Sequence, residues 1–536
     1  MNAPAGQTCA ALRVTLVPCA LAALLAGCIS GAGIKPEAAL IDPTSIDAGQ
    51  ALRDATNDAK WPAEAWWQAW QDPQLDALMT RATANSPTLD IVRSRVTAAI
   101  WQARALHADT LPEVNGGAQF ERERFPRYAT PAPPGGTTVW ANSAALTLSY
   151  DLDLWGKNRA LERGALNHVR ASVADAQFAK VELEAAVART YTGLALQYAL
   201  LDLYTSINDD ERRNIDIATA RRRAGISGDI DAYQARTQFE AGRTDIARAR
   251  QAIAVARLQL AYLVGAGPGF GDTLTRPVLP RNAAVALPSA IPAELVGHRA
   301  DVVAQRWRVL EAARKADAVH ADFYPNIDLV ASASLASLVP FGGFFNFVNS
   351  DAVGHGVGVA ASLPIFDAGR RRGNYGVATA EYDDAVLRYN DTVLAAMQGI
   401  TQQVTSLQSL GAQEQTAQAA VAAAQRAYEL ANQGYGGGIT DYLDVLVAQK
   451  VVLQQTLELA QIRGQRADAW VLLMRDLGGG ADLGADDGAG VAANAGAGSG
   501  VGSVAGSVAR MSASAADDAA RSAARLQATA GAQDAR

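Results

Sequence analysis

Three groups of residues in this chain bear on chemistry. Cys28 closes the run Leu25-Ala26-Gly27-Cys28, which follows Arg13 and the apolar stretch Val14 to Leu25. A basic start and about a dozen apolar residues make a secretory signal, too short to cross a bilayer as a helix. Gly27-Cys28 after a small residue and Leu25 resembles the bacterial lipoprotein cleavage site, where the cysteine thiol takes a diacylglyceryl group, so residues 1–27 read as a lipoprotein signal peptide and acylated Cys28 as the anchor in outer-membrane lipid. Ile29, rather than Asp, follows the cysteine, as in lipoproteins sent on to the outer membrane. Cys9 and Cys19 leave with the signal, so the mature chain keeps no pair for a disulfide and no free thiolate.

The second group sits in two glycine-centred turns. Gly225, Ile226 and Ser227 lead into Asp231, and Gly438, Ile439 and Thr440 lead into Asp444. Glycine supplies a left-handed helix end, Ser or Thr can cap the helix that follows, and an acid in its first turn suits the helix dipole. The third group is the five histidines, which are scattered and share no metal-ligand spacing with Cys, His or carboxylates. No nucleophile, base and orienting acid fall together either, so neither a metal, a cofactor nor an enzymatic activity is expected.

Charge and composition narrow the field further. Charged residues are 19% of the chain and apolar residues 49%, with a formal net charge of -7. No cluster of Lys and Arg interleaved with aromatics offers a footprint for phosphates, which excludes nucleic acid as a partner.

The turns recur because the chain is one module written twice. Pro112 falls on Pro325, Gly156 on Gly369, Gly225 on Gly438, Asp231 on Asp444 and Gly265 on Gly478, all at one offset of 213 residues. Each copy reads helix, two strands, a long helix, a turn and a return helix. The expected organisation is an anchor and extended segment over 28–70, a first repeat over 71–285, a second over 286–480, and a disordered Ala/Gly/Ser-rich tail over 481–536. In the first copy Asp72 to about Asp109 reads as helix, ended by Leu111-Pro112. From Trp140 to Leu154 the even positions are mostly apolar and the odd ones small or polar, the period of a strand with one greasy face. Val353 to Ile365 repeats the pattern, and partner strands are expected near Val114 to Phe125 and Ile327 to Leu338. The loop from Pro340 to Asp351 carries Phe341, Phe344, Phe345 and Phe347, suited to a membrane interface.

Lys157 to Ala224 and Arg370 to Gly437 contain no proline, and a helix of that length reaches about 100 Å. Phe239, Ile246, Ile253 and Leu260 recur every seven residues beside a small stripe of Ala235, Gly242, Ala249 and Ala256, the pattern of left-handed coiling. Arg236, Arg243, Arg250 and Arg257 form a third stripe, most of which reads as a solvated face. Four strands per chain leave edges that lipid cannot satisfy, so the barrel must close between chains. Two copies would give eight strands and a filled interior, whereas three give twelve and leave a lumen.

Trp66-Trp67-Gln68 with Asp72-Pro73-Gln74-Leu75 and Asn85-Ser86-Pro87, the run Ser149 to Arg159, and Leu363 to Arg370 together resemble the TolC family, most closely its acylated OprM and NodT branch. The resemblance spans roughly residues 61 to 480. It implies a mixed α and β membrane protein: a homotrimeric, 12-stranded outer-membrane β-barrel continued by a coiled α-helical barrel in the periplasm. It also implies an exit duct for drugs, coupled through a periplasmic adaptor (membrane fusion) protein to an inner-membrane RND pump. In similar proteins the aspartates six residues past the turn glycine line the narrow periplasmic end, which marks Asp231 and Asp444 as gate residues. Tyr435 matches a position whose bonds hold the closed entrance, while Thr440 stands where a basic residue is often found. The tips themselves, Gly225 to Ser227 and Gly438 to Thr440, are the expected adaptor contact. A duct for type I protein secretion and a periplasmic coiled-coil scaffold are the competing readings.

Overall fold

Asp72 starts the first long helix of the body. Its carboxylate accepts the backbone N–H groups of Gln74 and Leu75 at 2.9 and 3.2 Å, capping helix α1 (Pro73–Asn85), whose first residue is a proline with no N–H to strand. The single helix expected from Asp72 to Asp109 is in fact two. Pro87 forces Ser86 into an extended conformation (ψ 121°), and a new helix, α2 (Pro87–Ala108), begins there. The structure, a computed structural model, describes residues 31, 33–42, 45–47, 49–50, 52, 61–128, 131–132, 134–225, 228–279, 298–337 and 344–480. The signal, Cys28, Ile226, Ser227, Phe341 and the 481–536 tail lie outside the described residues.

After α2 come strands β1 (Glu113–Arg124) and β2 (Thr138–Asp151), then helix α3 (Lys157–Arg223) and its return helix α4 (Asp229–Leu263). The second copy runs α5 (Ala300–Ala321), β3 (Asn326–Ser337), β4 (Val353–Ser362), α6 (Arg370–Gly436) and α7 (Tyr442–Asp476). The long helices have 67 residues each and the return helices 35 each, with the 213-residue offset kept at both ends. Gly265 and Gly478 follow the return helices at φ +65° and +91°. A Cβ on either would collide with a backbone carbonyl, that of Asn85 in one copy and of His298 in the other. Those two carbonyls are again 213 residues apart.

The four strands form one antiparallel sheet in the order β1-β2-β3-β4. Leu148 lies opposite Val114 and Ala331, and Ala331 opposite Val357, so one face is greasy across the sheet. Thr147 lies opposite Asn115 and Ser332, and Ser332 opposite Gly356, so the other is small and polar. β2 stops at Asp151, short of the expected Leu154, because Asp153 turns the chain at φ +42° and its carboxylate caps α3 through the N–H groups of Asn158 and Arg159. β4 likewise stops at Ser362, short of Ile365. At the outer end of the sheet Phe344 packs on Phe120, Trp140 and Phe345 with ring centroids 5.1 to 5.4 Å apart. At the other end Trp155 stacks on Tyr324 at 4.6 Å.

Helix α3 packs against α4, α5, α2 and α7, and α6 against α5 and α7. The four long elements therefore run side by side in the order α4-α3-α7-α6. On α4 the seven-residue stripe is inward, with Ala235, Ala249, Ile253 and Leu260 buried. Arg236, Arg243 and Arg250 are exposed as expected, but Arg257 is not a solvated charge: it donates to the Leu274 carbonyl at 3.0 Å. The main core lies midway along α3 and α6, where Leu75, Leu78, Met79, Leu194, Leu260, Ile400 and Leu473 are fully buried and Trp66 meets Trp470 edge-on at 5.5 Å. Among the described residues no helix is long and apolar enough to cross a membrane.

The segment before this body is extended and tied to α6. Asp383 accepts the backbone N–H groups of Glu37 and Ala38, and Asn390 both accepts from Ile41 N and donates to the Ala39 carbonyl, at 2.8 to 3.1 Å. Gly31 reaches Tyr375, close to the barrel end of α6.

Candidate functional site: the paired helix tips

The two helix-to-helix turns lie far from the sheet, at the opposite end of rods about 100 Å long. The second turn is a complete Schellman motif: Gly438 at φ +71° donates its N–H to Tyr435 and Ile439 donates to the Gly434 carbonyl at 2.8 Å. Thr440 closes it, its hydroxyl donating to the Ala431 carbonyl at 3.2 Å while its side chain packs on Gly434. Gly225 plays the same part in the first turn, at φ +72°, with its N–H on Arg222.

Tyr435 is buried and packs on Tyr442 with ring centroids 5.5 Å apart. Over the Tyr435 ring sits the Arg221 guanidinium, 4.5 Å from the ring centre, reaching from the end of α3. Burial pushes the Tyr435 hydroxyl above its usual range, Arg221 pulls it back, and the negative charge of Asp231 raises it again. Tyr435, Arg221 and Asp231 are thus brought together from both copies. Arg222 points elsewhere, bridging its own turn to Asp229 at 2.9 Å.

Asp444 stands differently. It is exposed and serves a capping box, its carboxylate accepting the Asp441 N–H at 3.3 Å while the Asp441 side chain accepts from the N–H of Asp444. Within one chain it does not join the Tyr435 cluster. Ile439 is exposed at the very tip, whereas Ile226 and Ser227 lie outside the described residues.

The sequence places Arg221 and Tyr442 in the two turn segments without marking either as a gate residue. The signal was present: the run Arg221 to Arg223 ends the first long helix, and the 213-residue offset sets Arg222 against Tyr435. Also unforeseen was Glu211, buried a little over three turns above the end of α3, between α3 and α7 and beside Asn214 and Gln449.

Comparisons with known proteins agree with this architecture. The family model described as outer membrane efflux protein matches residues 78–266 and 291–479, two segments displaced by the same 213 residues. The chain is 42% identical over 383 residues to the fusaric acid resistance protein FusA of Burkholderia cepacia, covering 71% of each. It is 28% identical to the multidrug resistance outer membrane protein MdtP of Escherichia coli, covering 79% of this chain and 88% of that one. Among solved structures, the outer membrane protein VceC of Vibrio cholerae superimposes with a TM-score of 0.73 at 30% identity, over 78% of this chain and all of that one. The Campylobacter jejuni CmeC outer membrane channel shares the fold at a TM-score of 0.75 and 20% identity, over 86% of this chain and 98% of that one. The duplicated helix-strand-helix plan, the four-stranded sheet and the matched segments together make the chain a member of the outer membrane efflux protein family.

Proposed function

We propose that three copies of this chain close one 12-stranded barrel in the outer membrane and one helical barrel below it, forming the exit duct of a tripartite efflux system. The observation that carries this reading is the sheet itself. Among the described residues each chain offers four strands with one greasy face and two open edges; lipid tolerates no open edges, and a barrel of eight strands would be filled by its own side chains, whereas twelve leave a lumen. Aromatic rings at both ends of the greasy face match the girdles of an outer-membrane barrel. The relatives are named for resistance to fusaric acid and to many drugs, which supports small toxic compounds as the cargo. An adaptor docking on the exposed tips would link the duct to an inner-membrane RND pump.

Lipid anchoring through Cys28 fits the strap. Gly31 meets the first turns of α6 at the barrel end, and three further residues span at most about 10 Å, enough to bring a cysteine thiol to the bilayer surface. In the closed duct, Tyr435 clamped by Arg221 holds the tips together. Threefold symmetry gathers Asp231 and Asp444 into carboxylate rings at the entrance.

Two measurements test this together. The protein extracted from outer membranes should run as a heat-sensitive trimer carrying acyl chains, and deleting its gene should lower tolerance to antibiotics, dyes and detergents. A monomer, or unchanged tolerance with one secreted protein missing from the medium, would contradict the efflux reading.

A further inference from the structure

The duplication provides an internal control for the seams between the long helices. Within one chain α3 meets α7, and in a closed ring the corresponding seam joins α6 of one chain to α4 of the next. At the level of Glu211 these two seams carry opposite chemistry. The α3 to α7 seam buries Glu211, Asn214 and Gln449, each with less than a tenth of its surface exposed, and Asn214 donates its side-chain N–H to the Gln449 side-chain oxygen at 3.0 Å. The duplicated positions are Ala424, Ala427 and Arg236, which offer no such bond.

The bond between Asn214 and Gln449 leaves polar capacity unspent beside it. The Oε2 of Glu211, the Nε2 of Gln449 and the hydroxyl of Tyr442 are buried without a hydrogen-bond partner. Glu211 and Gln449 line a groove of about 740 Å³ whose walls include Ile230, Tyr233, Leu446 and Leu453. Water that enters as the seam parts can pair with these groups, which offsets part of the cost of separating the two helices.

We propose that Glu211, with Asn214 and Gln449, is a second latch of the duct, distinct from the tips, and that opening requires this seam to part and take up water. The inference rests on the reading of the protein as a gated duct. Glu211 lies about 20 Å above the end of α3, so it governs the splay of the coiled pairs rather than the contact of the tips. It is a positioning residue, acting through the α3 to α7 spacing.

The charge state of Glu211 sets the direction. Burial raises its carboxyl pKa, Asn214 offsets this in part, and the nearby charge of Asp210 adds to the rise. Of the other titratable groups around it, Tyr428 on α6 and Tyr442 on α7 interact with it, and Asp229 and Tyr233 on α4 and Lys450 on α7 line the same groove. A parted, hydrated seam would return Glu211 to the usual carboxylate range. The packed seam therefore binds the proton more tightly, and acid stabilises it. That stabilisation is complete below the ordinary carboxylate range and is lost as pH rises through the raised value. Each unit of difference shifts the closed-to-open ratio about tenfold per chain.

The test is the open probability of full-length trimers in planar bilayers across pH 5 to 8, wild type against Glu211→Gln, with an Asp231→Asn, Asp444→Asn variant alongside. Glutamine keeps size and hydrogen bonding but cannot ionise. The latch predicts that wild type opens several-fold more at the alkaline end, that Glu211→Gln stays low at every pH, and that the tip variant opens more yet retains the pH slope. If Glu211→Gln keeps the wild-type slope, the latch is overturned while the duct stands. If wild type forms no channel, the duct reading fails and the latch with it.

Discussion

The two tips of one chain have the same backbone and opposite chemistry. Both end a 67-residue helix, both turn on a left-handed glycine, and both start a 35-residue return helix. The first tip is basic before its turn, with Arg221, Arg222 and Arg223, and acidic after it. The second has no base in its last turn and offers Tyr435, a glycine run and a capping box instead. The difference teaches that duplication supplied two copies of a hinge and divergence made them complementary, because Arg221 of one copy lies over the ring of Tyr435 from the other. Thr440 need not be basic for the entrance to hold a cation, since α3 delivers one from the other side.

This comparison can be broken at several places. The largest effect is expected where the copies are still alike. Gly265→Ala and Gly478→Ala each drive a Cβ into a carbonyl at positive φ, and each should cost about 3 kcal/mol or more, read as loss of the heat-sensitive oligomer. If one copy tolerates alanine and the other does not, the two junctions after the return helices are not equivalent. A smaller effect separates neighbours in the first tip. Arg221→Ala removes a cation over a buried ring, about 0.5 to 2 kcal/mol per chain, and should raise conductance several-fold, whereas Arg222→Ala breaks only an exposed pair and should change little. Equal effects would mean that net charge, not the ring contact, holds the tip. The smallest concerns Asp444. Asp444→Ala should lower stability by about 1 kcal/mol through the lost capping box, while Asp444→Asn should keep most of that stability and report on the charge alone.

Much of this was legible in the sequence because it is written in period and punctuation. The 213-residue offset, the alternation in β2 and the proline-free tracts survive any detail of packing, and the strands and long helices fall within a few residues of where these patterns put them. The misses are local competitions that pattern cannot weigh. A proline next to Ser86 splits a helix that its apolar period would continue, and an aspartate at 153 ends β2 because capping α3 wins over three more residues of alternation. At the site, glycines and aspartates were readable as turn residues, but Arg221 and Glu211 act through partners more than two hundred residues away in sequence. Only the packing of α3 against α7, and the meeting of the α3 and α6 ends at the tip, brings those partners near.

The central claim is that the tips close a conducting duct. Its most direct measurement is single-channel conductance of the purified protein in a planar bilayer, comparing wild type with a variant carrying Arg221→Ala, Asp231→Asn and Asp444→Asn. The account predicts that wild type inserts but conducts poorly and that the variant conducts several-fold better. Wild type already at the variant's conductance, or a variant no more conductive than wild type, would contradict it.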